Sequence, residues 1–287
     1  MAQERELKRR VRSVKNAKQI TKALEVVAAS RMRKVVGLVA GARGYGELAA
    51  AIMQHIAQNP EAATHPFFQP PGEKPTLYII INSDRGQAGA FNSNIFNLAI
   101  RLFKEDKARP QVVVFGRKGS RFFAHMAGID LRGTYEDIPD VPSPNIFAPV
   151  MEMIATEMAE AKIGRVVILY TQFISSLSQK ASFYQLLPVD LRVAGSDTEQ
   201  AKVYEFEPEV PEVLDEAIRI YSQAKLMQAK VESAASEQAM RMIAMGNANR
   251  NATDLIDSLT LELNATRQAA ITQEIAEITG GAAAIAA

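Results

Sequence analysis

Leu7-Lys-Arg-Arg-Val-Arg-Ser-Val-Lys-Asn-Ala-Lys-Gln-Ile-Thr-Lys-Ala-Leu-Glu-Val-Val-Ala-Ala-Ser-Arg-Met-Arg-Lys34 is the stretch that decides the fold. Within it Leu7, Val11, Val14, Ala17, Ile20, Leu24 and Val27 recur at intervals of three and four. That spacing gathers apolar groups on one face of an α-helix, while Lys8, Arg12, Lys15, Lys18 and Lys22 point elsewhere. Val35, Leu38, Ala42, Tyr45, Leu48, Ile52 and Ile56 continue the stripe, and no proline intervenes before Pro60. Gly37, Gly41, Gly44 and Gly46 weaken the pattern midway. At ~1.5 Å rise per residue such a helix spans roughly 80 Å. That is too long for the helix of an ordinary compact core.

The other end repeats the pattern. From Glu209 to Thr279 no proline follows Pro211, and Leu214, Ile218, Tyr221, Val231, Met242, Met245, Leu255, Leu259, Leu263 and Ile275 supply the apolar positions. A helix of that length reaches roughly 105 Å and needs a partner to cover its stripe. The simplest partner is the N-terminal helix, in an antiparallel coiled coil. The charges agree with pairing: the chain has 33 Lys+Arg, 32 Asp+Glu and a net charge of +1, yet residues 1–34 carry +8 and residues 209–279 carry −5. Ala, Ser, Asn and Thr are frequent at both ends, so the seam is shallow. Separate helices of an all-α bundle are the alternative; sparse punctuation, with Gly246 the only interior glycine, weighs against it.

Between the helices the period changes. Thr76–Asn82, Gln111–Gly116 and Arg165–Tyr170 are short, nearly continuous apolar runs, as strands buried on both faces of a parallel sheet require. Helical candidates alternate with them at Asn92–Lys107, Lys118–Ala127 and Phe147–Ala161. Ala181–Leu191 and Lys202–Glu207 are candidate edge strands, and Asp137–Pro149 is expected to be an exposed connector. The fold class is therefore α/β: a long antiparallel coiled coil of N- and C-terminal helices with an inserted doubly wound, Rossmann-like α/β domain. The expected boundaries are 1–59 for the first helix, 74–208 for the α/β domain and 209–287 for the second helix.

Catalytic equipment is sparse. There is no cysteine and only three histidines, His55, His65 and His125, which excludes thiolate chemistry and makes a metal cluster implausible. Neither GxxxxGK[ST] nor GxGxxG occurs. Asp84-Arg-Gly-Gln-Ala-Gly89 follows a strand and precedes a helix, where such sheets hold ligands. A glycine turn, with Asn92 or Ser93 capping the next helix, is favoured there over a small-molecule site. Asp84 and Asp190 are strand-end carboxylates without a histidine or metal-like neighbour, and Arg117 and Lys118 lack a phosphate cradle. No catalytic residue, cofactor site or metal site is assigned. The basic first helix suits phosphate backbones, anionic lipid or acidic protein. The basic segment 1–34 lacks aromatics and large anchors, which leaves a solvated face or an acidic protein partner and argues against nucleic acid. The opening Met1–Arg10 has no apolar core of a signal peptide, and no apolar run approaches the ~20 residues of a membrane span.

Three motifs carry a resemblance that covers essentially the whole chain in order. Val11–Lys34 resembles the opening helix of the ATP synthase gamma-subunit family. Ser236–Met245, Asn251–Asn264 and Arg267–Ile278 look like its closing helix, and Ser83–Asn92 resembles the turn after its first strand. The resemblance implies the central rotor shaft of an F-type ATP synthase. Its two long helices turn inside a ring of three alpha and three beta subunits and couple transmembrane proton (ion) flow to ATP synthesis at the beta sites. The α/β domain is then a foot that meets the epsilon subunit and the membrane c-ring, and contact with a membrane is only through the complex. By the same resemblance Arg85 meets an acidic loop on beta, Arg267 and Gln268 hydrogen-bond a beta catch loop, and Lys22, Arg31 and Arg33 are weaker sleeve contacts. The tail Gly280–Ala287 is expected in the narrow top of the sleeve, and the location is the cytoplasmic face of a bacterial plasma membrane. Gln87 and Ala88 stand where many relatives have Leu and Cys. The cysteine-bearing insertion of the chloroplast type is absent, so no thiol switch is expected. The rivals are an α/β enzyme with dimerising arms, which predicts saturable nucleotide binding, and a membrane- or nucleic-acid-binding coiled coil, which predicts salt-sensitive binding.

Overall fold

Thr76–Ile81 (β1) is buried along its whole length at the centre of a five-stranded sheet. Gln111–Phe115 (β2) and Arg165–Phe173 (β4) flank it in parallel, Asp130–Tyr135 (β3) lies parallel outside β2, and Gln179–Leu187 (β5) runs antiparallel on β4. The order is β3-β2-β1-β4-β5. The computed structural model describes residues 2–56, 65–69, 72–189 and 210–286.

Alternation along the strands builds two cores. Tyr78, Ile80, Val112, Val114, Val167 and Leu169 meet Ile95 and Leu98 of Phe91–Glu105 (α2) and Phe123 of Arg117–Phe123 (α3). Leu77, Ile79, Ile81, Val113, Phe115 and Ile168 face the other way. They meet Val150 and Ile154 of Ala148–Ala159 (α4), Met53 of Ala2–Ile56 (α1), and Ile218, Tyr221 and Leu226 of Val210–Ala286 (α5). The sheet is covered by helices on both faces, as expected, but the long helices themselves supply much of one layer.

Three features depart from expectation. β3 was not anticipated, because Asp130-Leu-Arg-Gly-Thr-Tyr135 is an edge strand of alternating partial burial, with no apolar run to betray it. The connector Asp137–Pro149 is not uniformly exposed: its 3-10 turn Pro144–Phe147 buries Phe147 completely, edge-on to Phe115 at 5.4 Å between ring centroids. The run Ala181–Leu191 forms β5 as far as Leu187, whereas Asp190, Leu191 and Lys202–Glu207 lie outside the described residues.

The chain packs as two units, Met1–Ala28 with Met242–Ala287, and Ala29–Arg241. In the first, Leu7 and Ala28 of α1 and Met245 and Leu259 of α5 are buried. Glu4 feels the charge of Arg267, and a Cβ on Gly246 would lie 3.7 Å from the Glu25 carboxyl carbon. The step from Glu4 to Glu25 matches the step back from Arg267 to Gly246, so the two helices run antiparallel. In the second unit Val35 and Val39 of α1 meet Val231, Ala234, Ala235 and Ala239 of α5.

α1 is continuous for 55 residues and α5 for 77, and the four midway glycines do not interrupt the first. The covered stripe of α1 repeats as a heptad: Leu7, Val14, Thr21, Ala28, Val35, Ala42, Ala49 and Ile56 are all wholly or partly buried. Gly46 lies on this seam, where a Cβ would run into the Gln228 side chain. Ile20, Val27, Leu38, Tyr45, Leu48 and Ile52, expected on the buried stripe, are exposed instead. They keep the same seven-residue repeat (Ile20, Val27 and Leu48; Leu38, Tyr45 and Ile52) but flank the covered seam instead of lying on it. One 18-residue window between Gln3 and Ile56 reaches a mean hydropathy of 1.3 with 22% of it buried, enough to cross a membrane by length and composition only, although Arg43 and Glu47 interrupt the apolar residues after Lys34.

Candidate functional site

The turn after β1 is held from three sides. Ser83 donates its N–H to Asn92 Oδ1 (3.1 Å) and its hydroxyl to the Arg85 carbonyl (2.7 Å), while Asn92 Nδ2 donates to Ser83 Oγ (2.8 Å). The side chain of Asn92 therefore pins the turn; α2 begins at Phe91 with no side-chain cap, contrary to expectation. Asp84 Oδ1 accepts the backbone N–H groups of Arg117 (2.9 Å) and Asp137 (3.1 Å), so this carboxylate is structural. The Arg241 guanidinium donates to the Gly86 carbonyl (3.2 Å), Glu237 (2.6 Å) and Gln238 (3.0 Å). Gln87 holds φ 64°, a left-handed conformation uncommon for a side-chain-bearing residue. Among the described residues the Arg85 side chain has no hydrogen-bond or ion-pair partner, and Arg85 is exposed on this fixed turn.

Arg31 and Arg85, distant in sequence, line one polar cavity of about 350 Å³ with Lys230, Arg241, Glu237 and Asp140. Lys230 and Glu237 are buried there. Burial pushes the Glu237 carboxyl above its usual range, and Arg241 beside it pulls partly back. Arg33 is exposed on α1. In the other unit Lys22 pairs with Glu25 (3.2 Å) and, with Lys15, Lys18, Val26, Val27 and Ile256, lines an open groove of about 970 Å³. Arg267 and Gln268 are adjacent and exposed on α5.

The place where a Rossmann-like sheet holds nucleotide is the crevice at the C-terminal ends of its strands, where the strand order switches, here between β1 and β4. α5 occupies it. β4 pairs with β1 only as far as Leu169 and then overhangs to Phe173. On this open side the Thr171 N–H donates to Ser233 Oγ (3.0 Å), and Ser236 Oγ donates to the Thr171 carbonyl (3.1 Å). The Phe173 N–H donates to Glu232 (3.2 Å), and Arg43 of α1 donates to the Phe173 carbonyl (2.5 Å) and twice to Glu232 (2.8 and 2.9 Å). The Glu232 carboxylate holds the Arg43 guanidinium even more firmly protonated than usual. None of these buried polar groups of α5 was anticipated; in the sequence they are part of an Ala/Ser-rich seam.

The other chemical candidates resolve into structure. Arg117 is paired with Glu136 (2.9 Å) and Asp137. His125 Nδ1 is bonded to the Arg121 carbonyl (2.9 Å), and His65 lies 3.3 Å from Asp215 beside an apolar groove. Among the described residues no group of three His, Cys, Asp or Glu is placed to hold a metal. The family model described as ATP synthase matches residues 3–285. The ATP synthase gamma chain of Stenotrophomonas maltophilia is 38% identical over 292 residues, covering 99% of this chain and 100% of the relative.

The chain belongs to the ATP synthase gamma-chain family.

Gamma chains of Nitrosococcus oceani and Legionella pneumophila are 36% and 37% identical at the same 99% coverage of this chain. The central stalk and c-ring of the Tetrahymena thermophila mitochondrial ATP synthase, solved by cryo-EM, includes a chain with 25% identity and a TM-score of 0.64. The match covers 80% of this chain and 99% of that one. A chain of the Euglena gracilis mitochondrial complex has a TM-score of 0.70 at 21% identity, covers 99% of this chain and 95% of its own length, and supports the gamma-chain fold.

Proposed function

We propose that this chain is the central rotor shaft of an F-type ATP synthase. It turns inside a ring of three alpha and three beta subunits and couples transmembrane proton (ion) flow to ATP synthesis or hydrolysis at the beta sites. It has no active site of its own. The observation that carries the reading is an ATP synthase family match over residues 3–285, with gamma chains aligned along 99% of the chain, in a chain whose two terminal helices run 55 and 77 residues. Residues 1–59 and 209–287 form the shaft and 74–208 the foot. The Tetrahymena central stalk is described together with its c-ring; the foot of this chain meets the same kind of ring and an epsilon subunit. The complex is peripheral on the cytoplasmic face of a bacterial plasma membrane.

Contact with beta runs through Arg85, on its fixed turn, and through Arg267 and Gln268 on α5. A guanidinium fork makes paired bonds to a carboxylate, and none of the three side chains is buried in a competing internal role. Lys22, Arg31 and Arg33 are secondary contacts. Unequal contact with differently shaped beta subunits is what gives an asymmetric shaft control over their sites. The test is reconstitution: adding this chain to alpha and beta subunits restores ATPase activity, and a rod fixed to the foot rotates in steps under ATP. Activity without rotation, or saturable nucleotide binding by the chain alone, overturns the reading.

A further inference from the structure

We propose that the junction of Arg43, Glu232, Ser233 and Ser236 with the overhang of β4 is the torsional joint of the shaft, the point where twist passes between the α/β domain and the long helices. The proposal rests on the shaft reading above. Four consecutive demands of the overhang, the N–H and C=O of Thr171 and of Phe173, are all met from helices and none from a strand. Glu232 and Ser236 lie one turn apart on α5, about 6 Å of helix rise. Phe173 and Thr171 lie two residues apart on β4, about 6.7 Å of strand. The two repeats nearly coincide, so α5 runs along β4 as a surrogate neighbour and closes the sheet where β1 stops.

This joint differs in kind from the apolar contacts around it. Val35 and Val39 of α1 meet Ala234, Ala235 and Ala239 of α5 through small, non-directional surfaces that resist sliding weakly. The hydrogen bonds at Thr171 and Phe173 are directional, and Glu232, buried outright, ties three elements at once: α5 itself, β4 through the Phe173 N–H, and α1 through Arg43. Gln228 adds a fourth bond to the same carboxylate (3.1 Å). Rotation of α5 about its own axis would break all of these together. The four residues are thus positioning residues for coupling, remote from any nucleotide.

The experiment uses the complete reconstituted ATP synthase in vesicles, with Ser233→Ala plus Ser236→Ala in one preparation and Glu232→Gln in another. Three quantities are read: unloaded ATP hydrolysis, protons pumped per ATP against an imposed gradient, and the angular spread of a rod on the stalled rotor. Unloaded hydrolysis stays near wild type. Pumping under load falls about fivefold for each intramolecular hydrogen bond lost, so more in the double serine variant, which loses two, and the angular spread widens. A merely structural role would lower foot stability and assembly without widening the spread of assembled rotors. Wild-type spread and wild-type loaded pumping in assembled complexes of both variants overturn the joint. Should Glu232→Gln fail to assemble, the double serine variant, which removes only two hydroxyls, decides alone. Absence of rotation in the wild-type complex overturns the shaft reading instead.

Discussion

Replacing Arg43 by alanine strips the cation from a carboxylate that water barely reaches. The Glu232 side chain is 1% exposed and that of Arg43 35% exposed. In the native chain Glu232 accepts two bonds from Arg43, one from Gln228 and one from the Phe173 N–H; after the change only the two neutral donors remain. Breaking a buried ion pair from one side costs about 3–5 kcal/mol. The partial exposure of Arg43 opens a path for water once it is truncated, which puts this case at the bottom of that range, about 3 kcal/mol. The reverse change, Glu232→Gln, leaves a guanidinium that can still reach solvent and the Phe173 carbonyl, and costs about 1–2 kcal/mol. Amide hydrogen exchange at Phe173 and urea unfolding followed by far-ultraviolet circular dichroism read both. For Arg43→Ala the Phe173 amide exchanges about a hundredfold faster, the equivalent of about 3 kcal/mol. Equal costs for the two variants, or a larger cost for Glu232→Gln, would refute the argument that the buried partner sets the penalty.

The remaining expectations concern the turn, the cavity and the contact residues. Gly119→Ala places a Cβ against the Asn82 side-chain amide and 2.9 Å from Val114 Cγ1; overpacking of this buried corner lowers stability by about 1–3 kcal/mol, and an unchanged urea midpoint contradicts it. Glu237 has its carboxyl raised by burial, so the folded chain binds its proton more tightly than the unfolded chain. Its contribution to stability is complete below pH 4.5 and is lost as pH rises through the folded value. The stability difference between Glu237→Gln and wild type therefore grows in favour of the variant as pH rises from 4.5, and a flat difference counts against the assignment. Arg85→Ala, and Arg267→Ala with Gln268→Ala, change stability by no more than about 0.5 kcal/mol because these side chains are exposed. Both lower ATP synthesis by assembled complexes, and wild-type synthesis rates would remove these residues from the interface.

Legibility followed burial. β1, β2 and β4 were plain in the sequence because a strand buried on both faces has no polar alternation to hide in. β3 was not, because Arg132 and Thr134 face outward at an edge and the Val/Ile signal is missing. β4 also runs past its apolar run into Thr171 and Gln172, residues that a sequence pattern assigns to a loop. They remain strand because β5 pairs with them antiparallel at Ala181 and Lys180, while Ser233 and Ser236 satisfy Thr171 on the side that β1 leaves open. Those serines, with Glu232 and Glu237, were illegible for the converse reason: on a helix, Ala/Ser/Glu/Gln composition describes a solvated face as well as a buried polar one. Of the contact candidates, Arg85 was placed correctly on the turn between β1 and α2. Its shared cavity with Arg31 and the buried Lys230 depends on tertiary proximity that no local pattern encodes.

The apolar periodicity of α1 was two stripes read as one. Leu7, Val35, Val39, Ala49 and Met53 follow the heptad and are covered, whereas Ile20, Leu38, Leu48 and Ile52 lie beside it and are open. A rotating surface and a fixed joint need opposite chemistry. Aliphatic side chains form no directional bonds, so they can pass a sleeve without a ladder of partners to break; the joint at Glu232 is built from bonds that cannot slip. If the outer stripe serves passing contacts, it owes nothing to the fold of the free chain. Leu48→Ser, at a side chain 60% exposed, then changes the urea midpoint by no more than about 0.5 kcal/mol and reduces light scattering by the concentrated free chain. Val39→Ser, on the covered seam, loses about 2 kcal/mol or more through lost apolar burial and a hydroxyl left in an apolar site. Equal destabilisation by the two changes would mean that Leu48 is held inside the fold, and that α1 has a single stripe after all.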